Sequence, residues 1–139
     1  MVKHVAEKGL GNVRLLGDDA RPLLAALADR SLARAFLLFP DPWPKLRHHK
    51  RRFVQDATVT EFARALADGA EWRLATDDMG LCRWMLAHLI DRPEFEWLAQ
   101  GPADWRDRPA DWPPTRYEQK AVAAGRRPAF LRFRRRPRG

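Results

Sequence analysis

The chain has 139 residues, 45% of them hydrophobic and 32% charged, with a formal net charge of +8. That length suits one ordinary domain, and that composition excludes a disordered polymer. No apolar run approaches a membrane span and the N-terminus lacks a signal-peptide core, so no membrane association is expected and the cytoplasm is the expected compartment. The charge excess is local. After Glu118 the chain has no acidic residue, yet it carries Lys120, Arg126, Arg127, Arg132, Arg134, Arg135, Arg136 and Arg138. Acids and bases balance upstream, so the tail is either a polyanion-binding edge or a solvated basic end. Cys82 is the only cysteine. An internal disulfide is therefore excluded, and a reducing compartment fits. Met79, Leu81 and Trp84 surround Cys82 on a helical segment, which places it in the core.

Residues 2–8 read as the end of a helix stopped by Gly9. Residues 12–16 read as a short strand. Gly9-x-Gly11 is not a dinucleotide loop, because Arg14 stands in place of the third glycine and the glycines precede a strand. Asp18 or Asp19 caps a helix running through Ala28, with Leu23, Leu24 and Leu27 at helical spacing. Residues 33–39 are nearly all apolar, as in a parallel strand covered on both faces. Thr58-x-x-Glu61 matches a capping box, followed by Val59, Phe62, Ala63 and Leu66 on one helical face and Gly69 beyond the end. Residues 71–76 form the next strand, and Asp77-Asp78 starts a helix to Ile90 with Met85, Leu86 and Leu89 on one side. Residues 95–98 read as a short strand and residues 99–114 as an ordered loop rich in Pro and Trp. Thr115 opens a short helix ended by Gly125, and residues 128–134 form the last strand. Strands alternating with helices predict an α/β sheet.

The densest chemistry lies in residues 39–52, F-P-D-P-W-P-K-L-R-H-H-K-R-R. Asp41 and Trp43 each lie between two prolines, which constrain their backbones from both sides. Trp43 either stacks a nucleobase or lids the core beneath the loop. Lys45, Arg47, Lys50, Arg51 and Arg52, with His48 and His49 among them, suit contacts to phosphates. Ligands of open α/β sheets bind beyond the carboxyl ends of strands. Asp18/Asp19, Asp41 and Asp77 all fall at such ends. Each alone serves as a cap or turn residue, but three on one rim favour a site. Adjacent His48 and His49 do not converge on one ion and no Cys/His spacing completes a set, so no metal is expected. Ser31 has no evident base and Cys82 lies mid-helix, so nucleophilic catalysis is not expected.

F-P-D-P-W-P-K followed by R-H-x-K-R-R resembles the signature of the bacterial tRNA (guanine-N7)-methyltransferase family. Three further pieces agree in order: G-L-x-N-V-R-L-x-x-x-D-A at residues 9–20, A-T-D at 75–77 and T-R-Y-E at 115–118. The resemblance implies a class I, Rossmann-like, S-adenosylmethionine-dependent methyltransferase fold. It implies methyl transfer from S-adenosylmethionine to N7 of a guanine in the variable loop of tRNA, the implied partner. Carried across by motif, Asp19 and Asp41 would contact the methyl donor, and Asp41 would be the catalytic position. Lys45, Asp77, Thr115, Arg116, Tyr117 and Glu118 would contact the target guanine. Arg47, His48, His49, Lys50, Arg51 and Arg52 would contact RNA. The residue types agree with the chemistry. Guanine N7 carries a lone pair and no proton, so the site must align the reactants rather than supply a base. Carboxylates such as Asp41, Asp77 and Glu118 suit the guanine N1–H and amino group, and the positive charge that methylation develops.

The sequence departs from the family in one respect. Family members begin with a segment holding the first two strands and a glycine-rich turn for the donor. No E-x-G-x-G-like sequence occurs here. The expectation is a single, N-terminally truncated partial domain over residues 1–139, with an incomplete sheet and an incomplete donor site. Within it, 39–52 is the catalytic and RNA-binding loop, 99–118 the surface loop and substrate motif, and 126–139 the basic strand and tail. The strand at 33–39 is expected to present an unpaired edge, open to self-association or a partner chain. Two readings stand beside the enzyme: a catalytically inactive RNA-binding remnant, and a half-enzyme completed by a separate chain.

Overall fold

The computed structural model describes residues 6–139. The expected helix end at 2–8 lies mostly outside them; Ala6 and Glu7 are helical, and the Gly9 N–H donates to the Ala6 carbonyl at 3.2 Å. Helix α1 (Ala20–Ala26) leads to β1 (Leu32–Leu38), a 3-10 helix (Leu46–Arg51), α2 (Asp56–Ala65) and β2 (Leu66–Thr76). Then come α3 (Met79–Leu89), β3 (Phe95–Trp97), the short α4 (Ala103–Arg106), α5 (Arg116–Ala123) and β4 (Ala129–Arg135). One mixed sheet has the order β1-β2-β4-β3, with β1 parallel to β2 and β4 antiparallel to both its neighbours.

Strand β2 anchors the core because both its faces are covered. On one face Trp72 and Leu74 are fully buried with Val59, Leu81, Met85 and Leu89 of α2 and α3. The Phe62 ring stacks on Trp72 at 4.0 Å between centroids. On the other face Arg73 is fully buried between the rings of Phe36 and Trp112, 5.7 and 5.8 Å away. Such a charge is stable only when paired. Arg73 donates to Asp111 Oδ2 at 2.7 Å and to Glu71 Oε2 at 3.2 Å. This cluster pins the loop at 99–114 across the sheet.

Several expectations fail for identifiable reasons. Residues 12–16 form no strand, and Leu15 and Leu16 are exposed. A strand needs a neighbour for its backbone groups, and among the described residues none lies beside them. Strand β1 is not covered on both faces: Ala35 and Leu37 join the core, while Phe36 and Leu38 remain 42% and 37% exposed. Among the described residues β2 is the only strand paired with it, so its other edge is open there, as expected. Helix α1 stops at Ala26 rather than Ala28. Thr58 is not a cap but the third residue of α2. Its hydroxyl accepts from the Gln55 N–H at 2.9 Å and donates to the Phe53 carbonyl at 2.7 Å. Strand β2 starts five residues early because Leu66 already pairs with Leu32. Pairing resumes at Arg34 with Glu71, so the intervening residues bulge and Gly69 takes φ +80°.

Part of the basic tail is turned inward, while Lys120, Arg126, Arg127, Arg134 and Arg136 stay exposed. Arg138 donates to the carbonyls of Ala63, Arg64 and Leu66 at 2.7–3.0 Å and pairs with Asp68. Arg135 donates to Ala63 at 2.8 Å. Both therefore close the C-terminus of α2, where cations are favoured. Arg132 pairs with Glu71, Arg134 with Glu96 and Arg126 with Asp77.

The hydrogen bond from Arg73, reinforced by its charge, holds the Asp111 carboxyl below the usual carboxylate range. A lowered folded value contributes stability that is complete above the ordinary value and is lost as pH falls through the folded one. Denaturant midpoints taken from about pH 6 to about pH 3 should therefore fall less steeply for Asp111→Asn than for the parent chain.

Candidate nucleic-acid and methyl-transfer site

The site forms where β1 and β2 end side by side. Leu38 lies opposite Ala75, and the Phe39 N–H extends the ladder by donating to the Ala75 carbonyl at 2.8 Å. Asp41 and Asp77 thus leave adjacent parallel strands at the same end. Phe39 has φ +50° and Trp43 φ +42°, a region uncommon for residues other than glycine. Trp43 thus departs from the extended conformation usually favoured before a proline. Surrounding contacts compensate this strain, which is typically about 1–3 kcal/mol per residue. The Phe39 ring meets Tyr117 at 4.9 Å. The Trp43 ring lies under the Arg51 guanidinium at 5.1 Å and edge-on to His48 at 5.7 Å.

Arg52 fixes the loop from below. It is 4% exposed, its Nε donates to the Pro42 carbonyl at 2.8 Å, and its guanidinium sits 5.0 Å over Trp84. This removes Arg52 from the cations expected to face RNA. His49 is half-buried against Trp84, with Nε2 3.3 Å from the Pro44 carbonyl. The Gln55 amide donates to the carbonyls of His49 and Arg52 at 2.9 and 3.0 Å, tying the basic 3-10 helix to α2. Lys45, Arg47, Lys50 and Arg51 remain exposed, and among the described residues none has an ion-pair partner.

A pocket of about 270 Å³ opens beside Asp41, walled by Trp43, Phe53, Leu37, Arg21 and Arg51. Trp43 is thus a half-buried wall of this pocket. Arg21 joins α1 to it: its guanidinium donates to the Arg51 carbonyl at 3.2 Å and lies 5.3 Å over Phe53. Asp19 caps α1 by accepting from the Arg21 N–H at 3.0 Å, and that bond chiefly lowers its pKa, with the Arg21 side chain 3.2 Å away adding to the effect.

On the neighbouring strand, Asp77 is only 11% exposed and pairs with Arg126 beyond α5. Asp78, not Asp77, caps α3 by accepting from the Leu81 N–H at 2.8 Å. Thr115 caps α5 by accepting from the Glu118 N–H at 3.1 Å, as expected of the residue that opens the helix. Glu118 accepts from Arg108 at 3.3 Å, while Arg116 and Tyr117 are exposed. Asp41 and Asp77 therefore lie at one end of the sheet, the Phe39–Tyr117 pair brings residues 115–118 to it, Arg21 joins Asp19 to the Asp41 pocket, and Lys45 lies on the loop that follows Asp41. Sequence reasoning missed Arg21, Phe53, Arg108 and Arg126, because their roles come only from contacts distant in the chain. Among the described residues, no group of three His, Cys, Asp or Glu could hold a metal ion, and no helix is long and apolar enough to cross a membrane.

A family model described as a putative methyltransferase matches residues 1–131. The tRNA (guanine-N(7)-)-methyltransferase of Rhodospirillum rubrum is 58% identical over 99% of this chain and 54% of its own length. That of Zymomonas mobilis is 44% identical over 97% of this chain and 58% of its own length. The chain thus spans about half the length of the curated relatives it matches. Among solved structures, an S-adenosylmethionine-dependent O-methyltransferase from Thermotoga maritima superposes with a TM-score of 0.52 at 14% identity, over 99% of this chain and 45% of that one. The cyclase SpnF gives 0.52 at 15%, over 99% of this chain and 61% of its own. These likenesses identify an α/β fold of the S-adenosylmethionine-dependent methyltransferase type, carried by a four-stranded mixed sheet.

Arg52→Ala leaves the part-buried Pro42 carbonyl without its donor, removes the guanidinium packed on Trp84, and is expected to cost about 1–3 kcal/mol of unfolding free energy. Arg51→Ala, at an exposed position, is expected to stay within about 0.5 kcal/mol. Urea titration of the two variants measures this difference.

Proposed function

The chain belongs to the tRNA (guanine-N7)-methyltransferase family, and on that premise we propose that it supplies the catalytic loop and RNA-facing side for methyl transfer from S-adenosylmethionine to N7 of a variable-loop guanine in tRNA. The observation that carries this reading is the convergence of the Asp41 loop, Asp77 and residues 115–118 on one rim. The contacts that carry it are the Phe39–Ala75 hydrogen bond and the Phe39–Tyr117 ring pair. A tRNA substrate agrees with residence in the cytoplasm.

Asp41 and Asp19 suit a sulfonium-bearing nucleoside, since carboxylates complement its positive charge and accept from its hydroxyl and amino groups. The aromatic walls of the Asp41 pocket suit a planar base. Bound there, S-adenosylmethionine supplies the methyl group. Guanine N7 offers its lone pair without deprotonation, so Asp41 acts by orienting the reacting groups and by favouring the positive charge that spreads over the methylated purine. Asp77 and Glu118 accept from the guanine N1–H and amino group, with Arg126 and Arg108 fixing their orientation. Lys45, Thr115, Arg116 and Tyr117 border the base. Arg47, Lys50 and Arg51 contact phosphates, and His48 and His49 flank them.

One observation favours a second reading, in which another polypeptide segment pairs with β1 to complete the donor site. Among the described residues strand β1 has a free edge, and its outer-face residues Phe36 and Leu38 are exposed. In this half-enzyme reading, as in that of an inactive RNA-binding remnant, the chain alone binds tRNA without methylating it.

Transfer of labelled methyl to unmodified tRNA by the purified chain separates the readings. In any active preparation, alone or completed by the N-terminal half of a relative, Asp41→Asn should lower transfer on the order of 100-fold or more while tRNA affinity changes little. Arg47→Gln with Arg51→Gln should instead weaken tRNA binding and reduce its salt slope by about 0.7–0.9 per lost contact. Equal loss of binding in all variants would contradict this division of roles.

A further inference from the structure

A second pocket lies beyond the Asp77 end of the rim, between α3, β3 and α4, with a volume of about 240 Å³. Trp97 and Trp105 wall it, Met79, Cys82 and Leu86 line it from α3, and Arg83 and Arg106 reach it. No carboxylate lines it. The neighbouring Asp104 turns to the backbone N–H of Gln100 and Gly101, at 2.8 and 3.3 Å. Arg83 is exposed, and among the described residues neither it nor Arg106 has an ion-pair partner. The Arg106 guanidinium lies 4.3 Å over the Trp105 ring and donates to the Arg127 carbonyl at 3.4 Å. Arg127 follows Arg126, the partner of Asp77, and Met79 begins α3 two residues after Asp77. The pocket is thus joined to the guanine-facing rim by both chain segments.

Most arginines in this chain are answered by a carboxylate or by backbone carbonyls at a helix end. These two instead leave positive charge at the mouth of an aromatic pocket. Flat apolar walls with cations at the opening match a ligand with a planar body and an anionic edge, which is the chemistry of a nucleotide. An apolar or aromatic side chain would satisfy the walls and leave both guanidiniums unanswered.

We propose that this pocket is an accessory nucleotide subsite: it seats an unpaired base of the RNA substrate against Trp105, with the adjoining phosphates on Arg83 and Arg106. It rests on the reading that the chain binds tRNA. It extends the RNA track from the basic 3-10 helix across the rim to α3 and α4. Cys82, at its floor, is buried and serves only as an apolar contact, with burial pushing its thiol pKa up.

The test measures binding of unmodified tRNA and of a five-nucleotide single-stranded RNA by fluorescence anisotropy over a range of salt. The chain, its Arg83→Gln/Arg106→Gln double variant, Trp105→Leu and Trp105→Phe are compared. The double variant should weaken binding of both RNAs and lower the salt slope by about 1.4–1.8. Trp105→Leu should weaken binding on the order of tenfold with the slope unchanged, and Trp105→Phe should restore most of it. Arg83 is exposed on α3, so Arg83→Gln alone carries the test if a Trp105 variant misfolds, with an expected slope change of about 0.7–0.9. Variants that bind both RNAs as the parent chain does overturn the subsite and leave the rim reading standing. Weakened oligonucleotide binding with no effect of the Arg47/Arg51 changes on tRNA retains the subsite and removes that reading. A parent chain that binds neither RNA overturns both.

Discussion

The parallel register between β1 and β2 sets the position of everything on the rim. Leu37 pairs with Leu74 and Leu38 with Ala75, and the Phe39 N–H continues the ladder one step beyond the strand. A slip of one residue would move Ala35 and Leu37 from the core to the outer face, so burial enforces the register. With it fixed, the chain leaves both strands at one level. The positive φ of Phe39 turns the backbone there, and the ring of the same residue meets Tyr117. Three segments far apart in sequence are thereby held against one another by one strand end and one aromatic pair.

Arginine serves two physical purposes in this molecule. One set is structural. Arg52 and Arg73 are buried and hold a loop carbonyl and a carboxylate pair, Arg135 and Arg138 close α2, and Arg64 donates to the Leu27 carbonyl at 2.6 Å at the end of α1. Other cations have no carboxylate partner among the described residues, among them Lys45, Arg47, Lys50 and Arg51 on the basic turn, Arg83 and Arg106 at α3 and α4, and Arg127 and Arg136 near the C-terminus. Unanswered positive charge at a surface is what a phosphate backbone neutralises. The net charge of +8 is therefore spread unevenly, with unpaired cations gathered on the basic turn beside the rim.

Much of this was legible in the sequence where local chemistry decides the outcome. Helices α3 and α5 announce themselves through Asp78 and Thr115, side chains that satisfy free N–H groups at helix starts. The apolar run at β1 and the Pro-Asp-Pro-Trp-Pro stretch are equally local signals. What was not legible depends on partners. Residues 12–16 have strand composition but no neighbour, and Leu66 reads as a helix end but pairs with Leu32. Thr58 has cap composition but lies inside α2. Arg51 and Arg52 are adjacent and identical in type, yet one faces solvent and the other lies under the loop. No pattern of residues distinguishes those two, because the difference arises from α3 supplying Trp84 beneath one of them.

The central claim is that RNA lies across the rim rather than along the basic C-terminal end. Hydrogen exchange of the chain with and without saturating unmodified tRNA addresses it directly and does not require turnover. The account predicts that tRNA slows exchange in residues 41–51, 79–83 and 115–118, while β4 and the segment after it exchange as before. Protection confined to residues 126–139, with the 3-10 helix unaffected, would contradict it.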